Sequence, residues 1–205
     1  MPTLYDYGDS GNGYKARLML ALLDRPHRLV ELDIMKGETH TPAFLVKNPD
    51  GRIPVLELDD GTCLPESNAI LWYLAEGSDW LPSGGEEAAR RLRADILRWM
   101  CFEQYSHEPY VATPRFILRH LPADSPRRAE LPARQEKGRA ALALLDRHLQ
   151  ATDWLAGGRY TIADIALYAY THRAGEAGIP LAPYVALRAW LARVAAHPRH
   201  VAMAV

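Results

Sequence analysis

A proline heads an apolar, strand-like run in this chain: Ile53-Pro54-Val55-Leu56-Glu57-Leu58 follows the loop Asn48-Pro49-Asp50-Gly51-Arg52. Proline donates no ladder hydrogen bond, so it confines such a strand to an edge or a bend of its sheet. An X-Pro bond is also the one place where a cis peptide is cheap, about 0.5–1 kcal/mol above trans. A cis bond there turns the N–H and C=O of Ile53 outward, where an extended peptide ligand pairs with them as an added strand. Taken alone, Ile53-Pro54 is more simply a trans proline opening a strand. What comes next reverses that reading. After the turn Asp59-Asp60-Gly61 stands Pro65-Glu66-Ser67-Asn68-Ala69-Ile70, an acid–hydroxyl pair at a helix start.

Ala69, Ile70, Tyr73 and Leu74 recur at helical spacing, and Gly77 supplies a stop signal. On this pattern Ser67 is the N-cap, and the first N–H groups beyond it form an anion site. A ligand carboxylate there takes a further hydrogen bond from Ser67 Oγ, while Glu66 accepts from an ammonium beside it. An α-amino-acid head group presents both charges. The plainer alternative is an ordinary capped helix.

Together these segments resemble the glutathione-binding half of the glutathione transferase family, whose thioredoxin-like fold places a cis-proline at the position of Pro54. The resemblance implies glutathione as co-substrate, held by Ile53, Pro54, Glu66 and Ser67. Arg52 resembles the basic residue that some classes place near the glycyl carboxylate. Thr39 falls where relatives carry His or Gln, so its contact is shorter. His40 is out of register and reads as a solvated surface histidine.

The remainder of the chain fits that outline. At 205 residues it suits one large domain or two small ones. A formal net charge of −1 gives no reason to expect nucleic acid or an anionic membrane as partner. No apolar run approaches the ~20 residues of a spanning helix, and Met1-Pro2-Thr3-Leu4-Tyr5-Asp6 lacks a basic-then-apolar signal. Cys63 and Cys101 are far apart with no C-x-x-C, so neither a disulfide scaffold nor a zinc site is expected, and a reducing cytosol is the default location.

Residues 1–76 read β-α-β-α-β-β-α: a strand at 3–7, a helix at 14–23, a strand at 28–33, a helical patch at 42–46, and a hairpin of 55–58 with 62–64, ended by Pro65. Residues 77–86 form a Gly-, Ser- and Pro-rich linker. Helices dominate 87–205. The fold class is therefore two-domain α+β/α, and the resemblance makes it a thioredoxin-like amino-terminal domain plus an all-helical carboxy-terminal domain. Thr161-Ile162-Ala163-Asp164 is a capping box with Asp in place of Glu or Gln, flanked by Tyr160 and Ile165 at the staple positions. The family has a similar box in the core of its helical domain, so its role here is folding.

Glutathione is a weak nucleophile while its thiol is protonated, and an enzyme must supply donors that favour the thiolate. In this fold they lie in the strand-to-helix segment Gly8-Asp9-Ser10-Gly11-Asn12-Gly13-Tyr14-Lys15. Ser10 resembles the activating serine, cysteine or threonine of several classes. Asn12-Gly13-Tyr14-Lys15 resembles the Asn-Gly-x-Lys of bacterial members that act on glutathione disulfides. Ser10 and Asn12 are the catalytic candidates, although either is also a natural cap for this turn. Tyr5, at the end of the first strand, is the runner-up. The loop has no cysteine, which argues against a mechanism using the enzyme's own thiol.

For the second substrate, the cluster around Trp99, Phe102, Glu103, Tyr105, Ser106, His107, Tyr110 and Arg115 offers Tyr105, His107 and Arg115 as acceptor-pocket candidates. Trp99, Phe102, Glu103 and Ser106 share one helical face at this spacing. Glutathione transfer to small electrophiles, a detoxification chemistry, is the leading function, with no metal. The alternatives are a glutathione-dependent disulfide or peroxide reductase, and a non-catalytic binding or regulatory protein. The family also implies a homodimer, the amino-terminal domain of one subunit resting on the helical domain of the other.

Overall fold

Along Thr3–Asp6, strand β1, side chains alternate, so Leu4 and Asp6 face one side of the sheet while Thr3 and Tyr5 face the other. A computed structural model describes residues 1–203 and divides the chain into two compact units. The first is Met1–Leu81 together with the described residues from Pro198 on; the second is Pro82–His197.

In the first unit β1 lies between β2 (Arg28–Glu31) and β3 (Val55–Glu57), and β4 (Cys63–Pro65) forms the far edge. β2 runs parallel to β1, while β3 and β4 are antiparallel to their neighbours. Pro65 does not end the hairpin before pairing. It stands opposite Val55 as the last residue of an edge strand, a place that tolerates its missing N–H.

Helix α1 (Gly11–Leu22) starts three residues earlier than the apolar spacing indicates, because Ser10 caps it and Gly11-Asn12-Gly13 form its first turn. It is buried almost all round and packs on α3 (Ser67–Ala75). The short α2 (Pro42–Leu45) serves the Tyr5 side of the sheet, where Phe44 meets the Tyr5 ring edge-on at 6.0 Å. Leu4, Leu18, Leu22, Leu56, Ile70 and Leu71 form the fully buried core of this unit.

The second unit is helical: α4 (Glu87–Phe102), α5 (Glu108–His120), α6 (Leu131–Leu149), α7 (Ile162–Thr171) and α8 (Val185–Ala195). A single π turn, Glu103–His107, joins α4 to α5, with the Glu108 N–H reaching back to the Glu103 carbonyl. Pro109 follows at once and has no N–H to continue the α pattern, so the chain accommodates it by widening one turn. That insertion breaks the regular spacing that sets Ser106 on the face of Trp99: Trp99 and Glu103 are buried, whereas Ser106 is partly exposed.

All ten residues of α7 are buried. The Asp164 carboxylate accepts from the Thr161 N–H at 2.9 Å, closing the capping box. It also accepts from Leu155 N–H at 3.0 Å and from Trp190 Nε1 at 2.9 Å, so one buried acid pins α7, the loop before it and α8. Burial pushes its pKa up to about 6 against the pull of these donors.

α5 and α6 approach closely at Gly138, where a Cβ would lie 2.5 Å from the Tyr110 carbonyl oxygen and 2.5 Å from Ile179 Cδ1. Gly138→Ala is expected to lower stability by about 1–3 kcal/mol, since backbone is among the atoms that must move. The midpoint of urea unfolding measures it. Among the described residues, no helix is long and apolar enough to cross a membrane.

Candidate functional site

The strand register gathers the segments singled out in the sequence at one end of the sheet. Tyr5, Val55 and Pro65 form one cross-strand row. One step beyond that row, β1 runs out through Asp6 towards Ser10, β3 enters through Ile53-Pro54, and β4 leaves through Glu66 into α3. The Ile53–Pro54 bond is cis. The N-termini of α1 and α3 open at this same end.

Side chains link those two N-termini. Ser67 Oγ donates to Asn12 Oδ1 at 3.3 Å and accepts from Lys15 Nζ at 3.2 Å. Lys15 also donates to Asn68 Oδ1 at 3.4 Å. Lys15 and Ser67 are buried. Ser67 is thus not the N-cap that the sequence pattern indicates. Glu66 occupies the cap without a side-chain cap bond, and Ser67 is the first helical residue. Its hydroxyl is turned to α1 instead of back to its own helix.

Glu66 adopts φ 70 and ψ 112, a conformation that costs a non-glycine residue about 1–3 kcal/mol. Strain of this kind collects where a chain must aim backbone groups at something. Here the reversal leaves the exposed Glu66 side chain beside the N–H groups that open α3. Ile70 is the first α3 residue whose N–H bonds back to Glu66, so the preceding amides face out of the helix end and favour negative charge.

Ser10 caps α1, its Oγ accepting from the Gly13 N–H at 3.2 Å. A hydroxyl that accepts from a helix-end amide is polarised and keeps its own proton to donate. The turn that carries it is tied down closely. Asp6 Oδ1 accepts from Tyr7 N–H at 2.7 Å, Glu31 accepts from Gly8 N–H at 2.9 Å, and Arg17 Nη2 donates to the Gly8 carbonyl at 2.7 Å. Arg17 Nε lies 2.9 Å from Asp6 Oδ2, and Asp6 is 1% exposed. Burial raises the Asp6 carboxyl to about 7, Arg17 pulling the other way and Glu31 adding to the rise. A Cβ at Gly13 would overlap the Asp6 carboxylate, so only glycine leaves room for that acid beneath the first helical turn.

The Tyr5 backbone belongs to this end of the sheet, but its side chain lies on the other face. Its hydroxyl donates to Glu57 Oε2 at 2.6 Å on the opposite face, and Lys47 Nζ reaches the same oxygen at 2.8 Å. These hydrogen bonds lower the Glu57 pKa and raise that of Lys47.

On the loop before Ile53, the Arg52 side chain is exposed and pairs with Asp50 at 3.3 Å, while Asn48 Nδ2 fixes the Arg52 carbonyl at 2.8 Å. Thr39 is buried and its hydroxyl meets His40 Nδ1 at 3.1 Å. His40, read from the sequence as a surface residue, is exposed and also lies against this loop. Its Nε2 is 3.0 Å from where a Cβ of Gly51 would stand, and Gly51 has φ +63.

Models of known families match both units: the glutathione S-transferase N-terminal domain over residues 2–76 and the C-terminal domain over residues 99–198. The chain is 51% identical to a glutathione S-transferase from Pseudomonas fluorescens Pf-5, with a TM-score of 0.93 over 100% of this chain and 99% of that one. It belongs to the glutathione S-transferase family. Disulfide-bond oxidoreductase YfcG of Escherichia coli is 29% identical over 94% of this chain and 89% of its own. Elongation factor 1-gamma of Sus scrofa is 32% identical over 80% of this chain, which spans only 37% of that longer protein. Family members crystallised with glutathione share the fold, one from Pseudomonas fluorescens Pf-5 at 26% identity and a TM-score of 0.81.

Within the helical unit of this transferase-family chain, the three acceptor-pocket candidates do not come together. Tyr105 is 84% exposed and lines a cavity of about 420 Å³ with Phe102, Ser106, Tyr110, Lys137 and Leu144. His107 is buried instead, its Nε2 2.9 Å from Thr171 Oγ1. Arg115 is buried in an ion pair, its Nε donating to Glu176 Oε2 at 2.7 Å. The extra residue of the π turn shifts the register between Tyr105 and the residues that follow, and regular helical spacing does not anticipate it.

Proposed function

We propose that this chain binds glutathione and activates its thiol for attack on small electrophiles. The observation that carries the reading is the convergence of two helix N-termini, the Ser10-capped α1 and the Glu66-led α3, joined through Asn12, Ser67 and Lys15. The α3 end suits the α-carboxylate of a γ-glutamyl group, and Glu66 suits its ammonium. The backbone of Ile53 before Pro54 suits the cysteinyl peptide as an added strand. Arg52 is the cation within reach of a glycyl carboxylate. Thr39 supports that loop through His40 and is not itself at the surface.

The Ser10 hydroxyl donates a hydrogen bond to the sulfur, which favours the thiolate. In conjugation the thiol proton leaves to solvent, sulfur forms a bond to the electrophilic carbon, and the leaving group departs with its electron pair. Asn12 serves as the brace between α1 and α3, because its carboxamide oxygen is taken by Ser67. Tyr105 is the acceptor-side candidate that remains at a surface. The two free thiols, Cys63 and Cys101, suit a cytosolic location, and the family supports a homodimer.

Calorimetric titration of reduced glutathione into the protein and into Ser67→Ala tests the reading. Micromolar-to-millimolar binding, weakened about tenfold (~1.4 kcal/mol) in the variant, is expected. Wild-type protein that binds no glutathione would leave the fold as a scaffold for protein contacts. A second reading, reduction of glutathione disulfides, is favoured by Asn12-Gly13-Tyr14-Lys15 together with the likeness to the oxidoreductase from Escherichia coli. Turnover of a small mixed disulfide with negligible conjugation of an aryl halide selects it.

A further inference from the structure

We propose that Asp6 and Arg17 are positioning residues, a buried ion pair that holds the Gly8–Ser10 turn so that the Ser10 hydroxyl addresses the glutathione sulfur. The inference rests on the glutathione reading above and names the machinery behind its proton donor.

Three observations carry it. The guanidinium spans from acid to turn: Nε lies 2.9 Å from Asp6 Oδ2, while Nη2 is 2.7 Å from the Gly8 carbonyl and 3.5 Å from the Ser10 carbonyl. The contact to Asp6 is a charge pair without hydrogen-bond alignment, while Nη2 donates to the turn. A guanidinium is broad enough to serve both at once, which a compact lysine ammonium does not reproduce. The acid is placed for the same turn, since its other oxygen accepts from Tyr7 N–H, and Ser10 N–H in turn bonds the Tyr7 carbonyl at 2.8 Å. Finally, the space for the acid is made by Gly13, whose N–H caps onto Ser10 Oγ. The residue that admits the acid is thus also the donor that polarises the serine.

The guanidinium is further steadied by the Tyr14 ring, 5.8 Å from its carbon, and Tyr14 donates its hydroxyl to the Val201 carbonyl at 2.7 Å. The charged groups facing Asp6 are Arg17 from α1 and Glu31 from β2. Burial places the Asp6 carboxyl near neutrality, so its grip on Arg17 is full only once it has lost its proton. Activity that depends on the turn accordingly falls as pH drops through about 7.

The test compares wild type with Asp6→Asn and Arg17→Lys by three readouts: glutathione affinity by calorimetry, the apparent pKa of the bound thiol from its ultraviolet thiolate absorbance, and kcat with an aryl halide. Glutathione affinity is expected to stay within about twofold, because the α3 end is untouched, while kcat falls about tenfold or more (~1.4 kcal/mol). The bound thiol's pKa rises in both variants, and the step near pH 7 disappears from the rate profile of Asp6→Asn. If the variants lose only thermal stability, with thiol pKa and kcat within twofold of wild type, the pair is merely structural and the inference is overturned. Should Asp6→Asn not fold, Arg17→Lys, which keeps the charge, decides alone. Wild type that binds no glutathione overturns the underlying reading instead, and that outcome appears before any variant is made.

Discussion

Ser10→Ala is expected to lower the glutathione-dependent kcat by about 10²-fold, with the affinity for glutathione nearly unchanged. The argument rests on one hydroxyl. Ser10 Oγ already accepts from the Gly13 N–H, so its proton is the group left to stabilise developing charge on sulfur. Alanine also removes the cap of α1, worth about 1 kcal/mol of stability, and a control must separate the two losses. Ser10→Thr keeps both hydroxyl and cap and should retain most activity. Ser10→Gly keeps much of the cap without the hydroxyl and should behave like alanine in turnover. A pH titration of the bound thiol supplies the mechanism, with an upward shift in Ser10→Ala. Were Ser10→Ala fully active and Asn12→Ala inactive, the donor role would pass to Asn12.

The second large effect concerns folding. Asp164→Ala leaves four buried donors without their acceptor: the N–H groups of Leu155 and Thr161, the Thr161 hydroxyl and the indole of Trp190. At about 1 kcal/mol or more for each, the loss is at least about 4 kcal/mol. For a chain of this size that lowers the melting temperature by about 10 °C, read by circular dichroism. A change below about 1 kcal/mol would show that those donors find other partners.

Asp164→Asn keeps one accepting oxygen and should cost less, and it isolates the charge. Burial raises the folded carboxyl to about 6, against 3.8 for an ordinary aspartate. Between those values the folded state holds a proton that the unfolded state has released, so this group's contribution to stability falls as pH rises across that window. The slope should be absent from Asp164→Asn.

The sequence carried the fold through its periodicities and its punctuation. Ile53-Pro54, the hairpin turn, the helix stripe after Ser67 and the Thr161–Asp164 box are local patterns, and each has a local physical cause. The helical starts were less legible, since Gly11-Asn12-Gly13 has no apolar side chain to set a period, although Ser10 marks the cap. The end of the sheet where the site forms was legible in kind but not in connection. Nothing in the spacing of Asn12, Lys15 and Ser67 tells that their side chains meet, because that contact is made by two helices more than 50 residues apart. Asp6 and Arg17 carried a weak signal: an acid ending an apolar strand, opposite a glycine inside a helix. His107 and Arg115 are buried against Thr171 and Glu176, which their spacing does not tell, because a polar residue at regular spacing looks the same whether it faces water or a hydrogen-bonded core.

The hydrogen bond from Ser67 to Asn12 has a further consequence. Ser67 owns a single hydroxyl proton, and in this structure that proton goes to α1. A carboxylate arriving at the α3 terminus competes for it, and winning it releases the Asn12 carboxamide only two positions from Ser10. On the glutathione reading proposed above, the γ-glutamyl head group and the central cysteinyl sulfur would thus communicate through one proton, recognition of the first altering the surroundings in which the second reacts.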